Sequence, residues 1–158
     1  MTTRIVRHPA AIKLAREATA YGLLNFGYAV EAATKRDAVV RGGHRSFMTG
    51  PKTKAGTARI GGTLRRSYHT AAFLDGTRIG GEPTDENGNA PPEYPAGSGM
   101  LVVVGSNSGY GGWVERGTHN KDGSVKMAAR PTLVPALLGL KAQAPTLIAA
   151  GARKHVGQ

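Results

Sequence analysis

Four side chains of this sequence could act together chemically, namely His44, His69, His119 and Glu115. Imidazole beside carboxylate suits proton transfer or a divalent metal. Their spacing argues against both. Glu115 and His119 are four residues apart, but Gly117 lies between them, so no convincing helix holds them on one face. No HExxH, GxSxG or phosphate-loop pattern occurs. Gly42-Gly43 and Gly61-Gly62 lack the preceding strand and following helix that turn a glycine pair into a phosphate cradle. The chain contains no cysteine, which removes disulfides and thiolate metal sites. The expectation is a protein without a catalytic group, a metal or a cofactor.

Charge is the other chemistry on offer. The chain holds 21 Lys and Arg against 10 Asp and Glu, a formal net charge of +11. Residues 1–72 carry 13 basic and 3 acidic side chains, residues 73–120 carry 2 and 6, and residues 121–158 carry 6 and 1. A basic–acidic–basic chain can attract nucleic acid, or can join its acidic middle to the basic arm of another copy. The densest positive run is Arg41, Arg45, Lys52, Lys54 and Arg59, with no acid between Gly42 and Gly62. These five are candidate contacts to DNA phosphates or to a neighbouring subunit. A nucleic-acid-binding protein is one reading of this charge. Against it, no helix-turn-helix, zinc-finger, RRM or KH signature is present, and aromatic residues make up only 6%.

The elements that must position these groups follow from periodicity and punctuation. Pro9 suits a first helical position, and no proline follows until beyond Val40. Leu14, Tyr21, Leu24 and Tyr28 recur at helical steps, and a second stripe runs Ala15, Thr19, Leu23, Phe26, Val30, Ala33. Gly22 and Gly27 interrupt this helix and mark a kink or a close crossing. Arg41-Gly42-Gly43 ends it. Residues 42–62 and the proline-rich, acidic residues 80–99 read as long loops. Between them, Thr63 to Leu74 predicts a helical turn running into a strand, and Asp75-Gly76 a hairpin turn. Met100 to Val104 predicts a buried strand, Tyr110 to Glu115 an extended or single-turn piece, and Gly117 to Ser124 a polar loop. Pro131 to Leu140 and Pro145 to Val156 predict one helix broken at Pro145, or two short ones. Leu133 to Leu140, the most apolar stretch, is shorter than the roughly 20 residues a bilayer requires. Helix, strands, then helix gives the α+β class: a single domain, residues 1–158, with a long N-terminal helix, a small antiparallel sheet with two long loop insertions, and a C-terminal helix.

Three separated pieces resemble one family. Gly62-Thr63-Leu64-Arg65-Arg66-Ser67 is similar to a "TG-x-L-R-x-S" stretch. Val103-Val104-Gly105, followed by Tyr110-Gly111-Gly112-Trp113-Val114-Glu115-Arg116-Gly117-Thr118, resembles "VG…YA-x-YVE-x-GT". Ala129-Arg130-Pro131-Thr132-Leu133-Val134-Pro135-Ala136-Leu137 resembles "A-R-P-F-L-x-P-A-L". Their order and spacing are similar to the phage tail-component family sometimes called gene-product-ten-like, over roughly residues 10–140. This chain departs from the pattern at Gly62-Thr63, Gly111 and Thr132, where Thr-Gly, alanine and phenylalanine are usual.

The resemblance implies a structural virion protein of a long-tailed bacteriophage, at the tail or neck. It implies tail completion or head–tail joining, and no enzymatic activity. The implied partners are copies of the chain in a ring, sixfold like the tail tube it meets, together with the tail tube protein and the head-closure or adaptor proteins. DNA would pass through the hole, and no membrane is involved. Arg65, Arg66, Trp113, Glu115 and Arg116 are then candidates for the subunit interface. Leu133 and Leu137, one turn apart at the entry of the last helix, are expected to face the core, and packing inside the subunit is the favoured reading for Trp113 as well.

Overall fold

The computed structural model describes residues 8–42, 66–82, 99–107 and 111–157, with the side chains of residues 38–42 left aside. His44, Arg45, Lys52, Lys54, Arg59, Arg65 and Tyr110, the side chain of Arg41 and most of the two expected loops lie outside the described residues. The class is α+β. Helix α1 is Pro9–Gly42, followed by strands β1 (Tyr68–Leu74), β2 (Thr77–Gly81) and β3 (Met100–Ser106). A short helix α2 (Gly111–Arg116) leads into strands β4 (Thr118–His119) and β5 (Val125–Met127). Helix α3 (Leu133–Leu140), a single tight turn at Lys141–Gln143 and helix α4 (Ala144–Val156) complete the chain.

The three-stranded sheet has the order β2-β1-β3, antiparallel throughout. The expected hairpin turn is present. Asp75 and Gly76 have φ of 49° and 84°, the pair of positive values a tight two-residue hairpin demands. Asp75 also accepts two hydrogen bonds from Arg16, at 2.6 and 2.9 Å, which tie the hairpin tip to the start of α1.

Helix α1 is the spine. One side covers the sheet and another carries α4. Its buried face differs from both expected stripes: Leu14 and Tyr28 are exposed, while Ala18, Ala20, Gly22, Leu24, Gly27, Val30 and Thr34 are buried. Small residues sit where neighbours come closest. A Cβ on Gly22 would lie 2.5 Å from the carbonyl oxygen of Ile148 in α4, and one on Gly27 would lie 2.6 Å from Val102 Cγ2 in β3. Both glycines therefore mark close crossings, on two different faces of one helix. Gly151 completes the first crossing from the α4 side, 3.0 Å from Gly22 Cα by the same measure. Around it, Asn25 donates to the carbonyl of Leu147 (2.8 Å) and His155 stacks on Tyr21 with centroids 4.1 Å apart.

Two further expectations need correction. Residues 118–127 form a small hairpin and not only a loop, because Gly117 and Gly123 turn the chain with φ of 75° and 83°. The apolar stretch Leu133–Leu140 does not stand alone. With α4 it makes a run, Leu133–Val156, long and apolar enough to cross a membrane by length and composition. In this fold that run lies along α1, and its last turn carries Arg153, Lys154 and His155.

Candidate subunit interface

Tyr68 opens β1 and is almost completely buried, packed by Val114 and Leu133. A buried phenol needs a partner for its O–H. Tyr68 donates to Glu115 Oε1 at 2.6 Å and lies 3.0 Å from the hydroxyl of Thr132. Glu115 has a second role. Its carboxylate accepts from the Thr132 hydroxyl, from the backbone N–H of Thr132 (3.0 Å to Oε2) and from that of Leu133 (3.1 Å to Oε1). These amides open α3, where the helix has no partner of its own for them. Thr132 makes no side-chain cap to α3, so Glu115 supplies the acceptor from α2. The backbone closes the same corner: Arg130 N–H donates to the carbonyl of Val114 at 2.7 Å.

Gly117 makes the corner possible. Its φ is 75°, and an added Cβ would lie 2.6 Å from the Met127 carbonyl oxygen and 2.7 Å from Ala129 N. At the same end of β1, Ser67 and Ser106 share a hydroxyl hydrogen bond of 2.6 Å that ties the start of β1 to the end of β3. Ser67, Tyr68 and Thr132 were not among the candidate residues. Tyr68 and Glu115 are 47 positions apart, and Glu115 and Thr132 are 17 apart, so no local pattern announces the triad.

What this corner presents outward is apolar. Trp113 is 60% exposed on α2, so it is not a core residue. On α3 only Ala136 is buried, whereas Leu137 and Leu138 are 45% and 63% exposed and Val134 is exposed with them. Leu137 thus departs from the core position expected for it, while Leu133 packs inward against Tyr68. The reason is the short span of α3 against α1: one narrow face of an almost wholly apolar helix is enough to dock it. Large apolar side chains left in water on one element mark contact surfaces.

The remaining candidates divide. Arg116 is exposed, and its Nε donates to the Gly112 carbonyl of its own helix at 3.5 Å. Arg66 is exposed in the helical turn that precedes β1. Glu115 is engaged within the chain by four donor groups. The histidine and carboxylate set is dispersed: His69 Nδ1 lies 2.6 Å from Glu82 Oε2, and His119 is exposed on β4. Among the described residues, no group of three or more His, Asp or Glu could hold a metal ion.

Comparison with protein-family models, with curated proteins and with solved structures finds no match to this chain.

Proposed function

We propose that this chain is a structural subunit of the neck or tail of a long-tailed bacteriophage, a tail-completion protein that joins a ring of its own copies. One observation carries the reading. The second and third of the sequence pieces that resemble the tail-component family, distant in the chain, meet at one corner, and the residue that follows the first piece joins them there. Tyr68, directly after the first piece, bonds Glu115 of the second, and Glu115 bonds Thr132 and Leu133 of the third. Tyr68 and the second and third pieces act as parts of a single device that sets α2 and α3 and leaves Trp113, Leu137 and Leu138 facing outward.

A ring of identical subunits needs two different surfaces on each copy, meeting head to tail after a fixed rotation. The apolar surface of α2 and α3 is one such surface in this proposal, with Arg66 and Arg116 at the interface. The ring is a hexamer that matches the tail tube protein on one side and the head-closure or adaptor proteins on the other. Arg41, Arg45, Lys52, Lys54 and Arg59 meet the passing DNA through phosphates, without reading sequence, or grip the neighbouring copy. The work is assembly: no catalysis, cofactor or membrane enters the proposal.

The test is antibody labelling of intact source particles viewed by electron microscopy. Label at the head–tail junction is the expected result. Label elsewhere on the tail keeps a virion role and discards the neck position. No label on intact or on disrupted particles overturns the reading. One observation, the net charge of +11, favours a second reading as a basic nucleic-acid-binding protein outside the virion. Its mark would be a salt-dependent mobility shift of short duplex DNA together with absence from particles.

A further inference from the structure

A sheet of three strands has two edges, and those of this sheet are unlike. The β2 edge is blunted. The strand is short, carries Arg78, ends in Gly80-Gly81, and its register against β1 is broken by an irregularity at Ala72/Phe73. Such features discourage a further strand from adding. Strand β3 has none of them. Its sequence is Met-Leu-Val-Val-Val-Gly-Ser, with no charge and no proline, and it pairs with β1 without a break from Tyr68–Ser106 to Leu74–Met100. Among the described residues no strand lies beyond it.

The hydrogen-bond phase shows which groups face that open side. Asp75 N–H donates to the Gly99 carbonyl and Asn107 N–H to the Ser67 carbonyl, each across from β1. Antiparallel bonding alternates along the strand, so Leu101, Val103 and Gly105 exchange their backbone bonds with β1. Val102 and Val104 therefore turn their N–H and C=O groups outward. Their side chains go toward Gly27 of α1, so the fold holds these two residues firmly, and among the described residues no strand pairs with their outward backbone groups.

We propose that β3 is the pairing edge for a second copy of this chain, which adds its own β3 antiparallel across a twofold axis at Val103. Two features select a second copy as the occupant. First, charge: no ionisable Asp, Glu, Lys, Arg or His lies between Tyr94 and Val114, so two chains of net charge +11 meet here without opposing like charges. Second, self-complementarity: in full register Val102 faces Val104 of the other copy, both with outward backbone groups, and Val103 faces its own counterpart in a non-hydrogen-bonded pair. A contact of this symmetry closes at two copies, whereas a ring needs a head-to-tail contact. The pairing thus describes the chain before it joins a ring and does not rest on the virion reading. It shields an uncharged β-rich edge that would otherwise recruit strands at random.

The absence of cysteine makes the test clean. Non-hydrogen-bonded partners have Cα atoms roughly 4.5 Å apart, within the range a disulfide spans. Under mild oxidation the purified Val103→Cys chain should form a covalent dimer nearly quantitatively. Val102→Cys and Val104→Cys, whose side chains face α1, should not. Light scattering of the cysteine-free wild type should show a dimer. Val103→Lys should weaken it roughly tenfold or more by setting two ammonium groups opposite each other, with the circular dichroism spectrum showing that the variant is folded. A wild type that stays monomeric at every concentration overturns the proposal even if a variant misfolds. So does crosslinking that is equal at all three positions. Particle labelling can fail while this pairing stands, and the reverse.

Discussion

Glu115 accepts from the Tyr68 hydroxyl, the Thr132 hydroxyl and the amides of Thr132 and Leu133, so its removal strands four donors at once. A part-buried donor left without an acceptor costs about 1–3 kcal/mol, and lost helix capping costs about 1 kcal/mol. Water reaches some of these groups, so Glu115→Ala should destabilise by about 2–4 kcal/mol. Tyr68→Phe removes only one donor and should cost about 1 kcal/mol. Urea unfolding of the two single variants and the double variant checks this: the double should cost clearly less than the sum. Asp122 offers a prediction in pH. The Ser124 hydroxyl donates to its carboxylate at 2.6 Å and the Ser124 amide at 2.9 Å, holding its pKa below the ordinary 3.8. A carboxylate depressed in the fold contributes stability above its unfolded pKa and loses it as pH falls through the folded value. The β4–β5 turn should therefore stay ordered down to about pH 4 and loosen only below it. Asp122 is fully exposed, so the effect is local. Titration by carboxyl carbon NMR should find Asp122 below its ordinary value, and Ser124→Ala should return it upward.

At the scale of elements, two helical glycines should respond in opposite ways. Gly22 is pressed against the backbone of Ile148, so Gly22→Ala forces α4 away from α1 and should cost about 1–3 kcal/mol, the usual range for overpacking. Gly139 in α3 has nothing within 4 Å of an added Cβ, so Gly139→Ala should stabilise by about 0.5–1 kcal/mol through helix propensity alone. Thermal denaturation of both variants decides the matter. The contrast also shows what a sequence can carry. The length of α1, the Asp75-Gly76 turn, a strand at Met100–Val104 and the proline-interrupted helices at the C-terminus are local properties, and each was legible. That strand, expected to be buried, is only half-buried, with Met100 exposed, because it lies at the edge of the described sheet. Which face of α1 is buried was not legible, because Ala18, Ala20 and Gly22 are chosen by the closeness of α4 and the sheet and not by hydrophobic weight. The corner was half legible. Glu115, Gly117 and Leu133 stood out by their motif, but Tyr68 and Thr132 join them only through the tertiary fold.

The whole molecule separates what holds the fold from what faces outward. The described core is built of small residues and the Tyr68 corner: Ala18, Ala20, Leu24, Val30, Tyr68, Ala71, Ala72, Phe73 and Ala136 are its buried apolar members. Several of the largest apolar groups, Trp113, Val134, Leu137 and Leu138, stand in water instead. A chain under selection for stability alone gains nothing from leaving an indole 60% exposed beside an apolar helix. Truncating these groups should then leave the monomer almost intact, since surface changes away from caps and cores usually stay within about 0.5 kcal/mol. Trp113→Ala and Leu138→Lys should melt within a few degrees of the wild type and keep its circular dichroism. If α2 and α3 form the subunit interface, the same variants should fail to enter particles when supplied in place of the wild-type chain. Glu115→Ala should fail in both measurements, because it loosens the corner that presents the surface. Variants that melt normally and still assemble would remove α2 and α3 from the interface. Variants that melt early would return Trp113 and Leu138 to the fold.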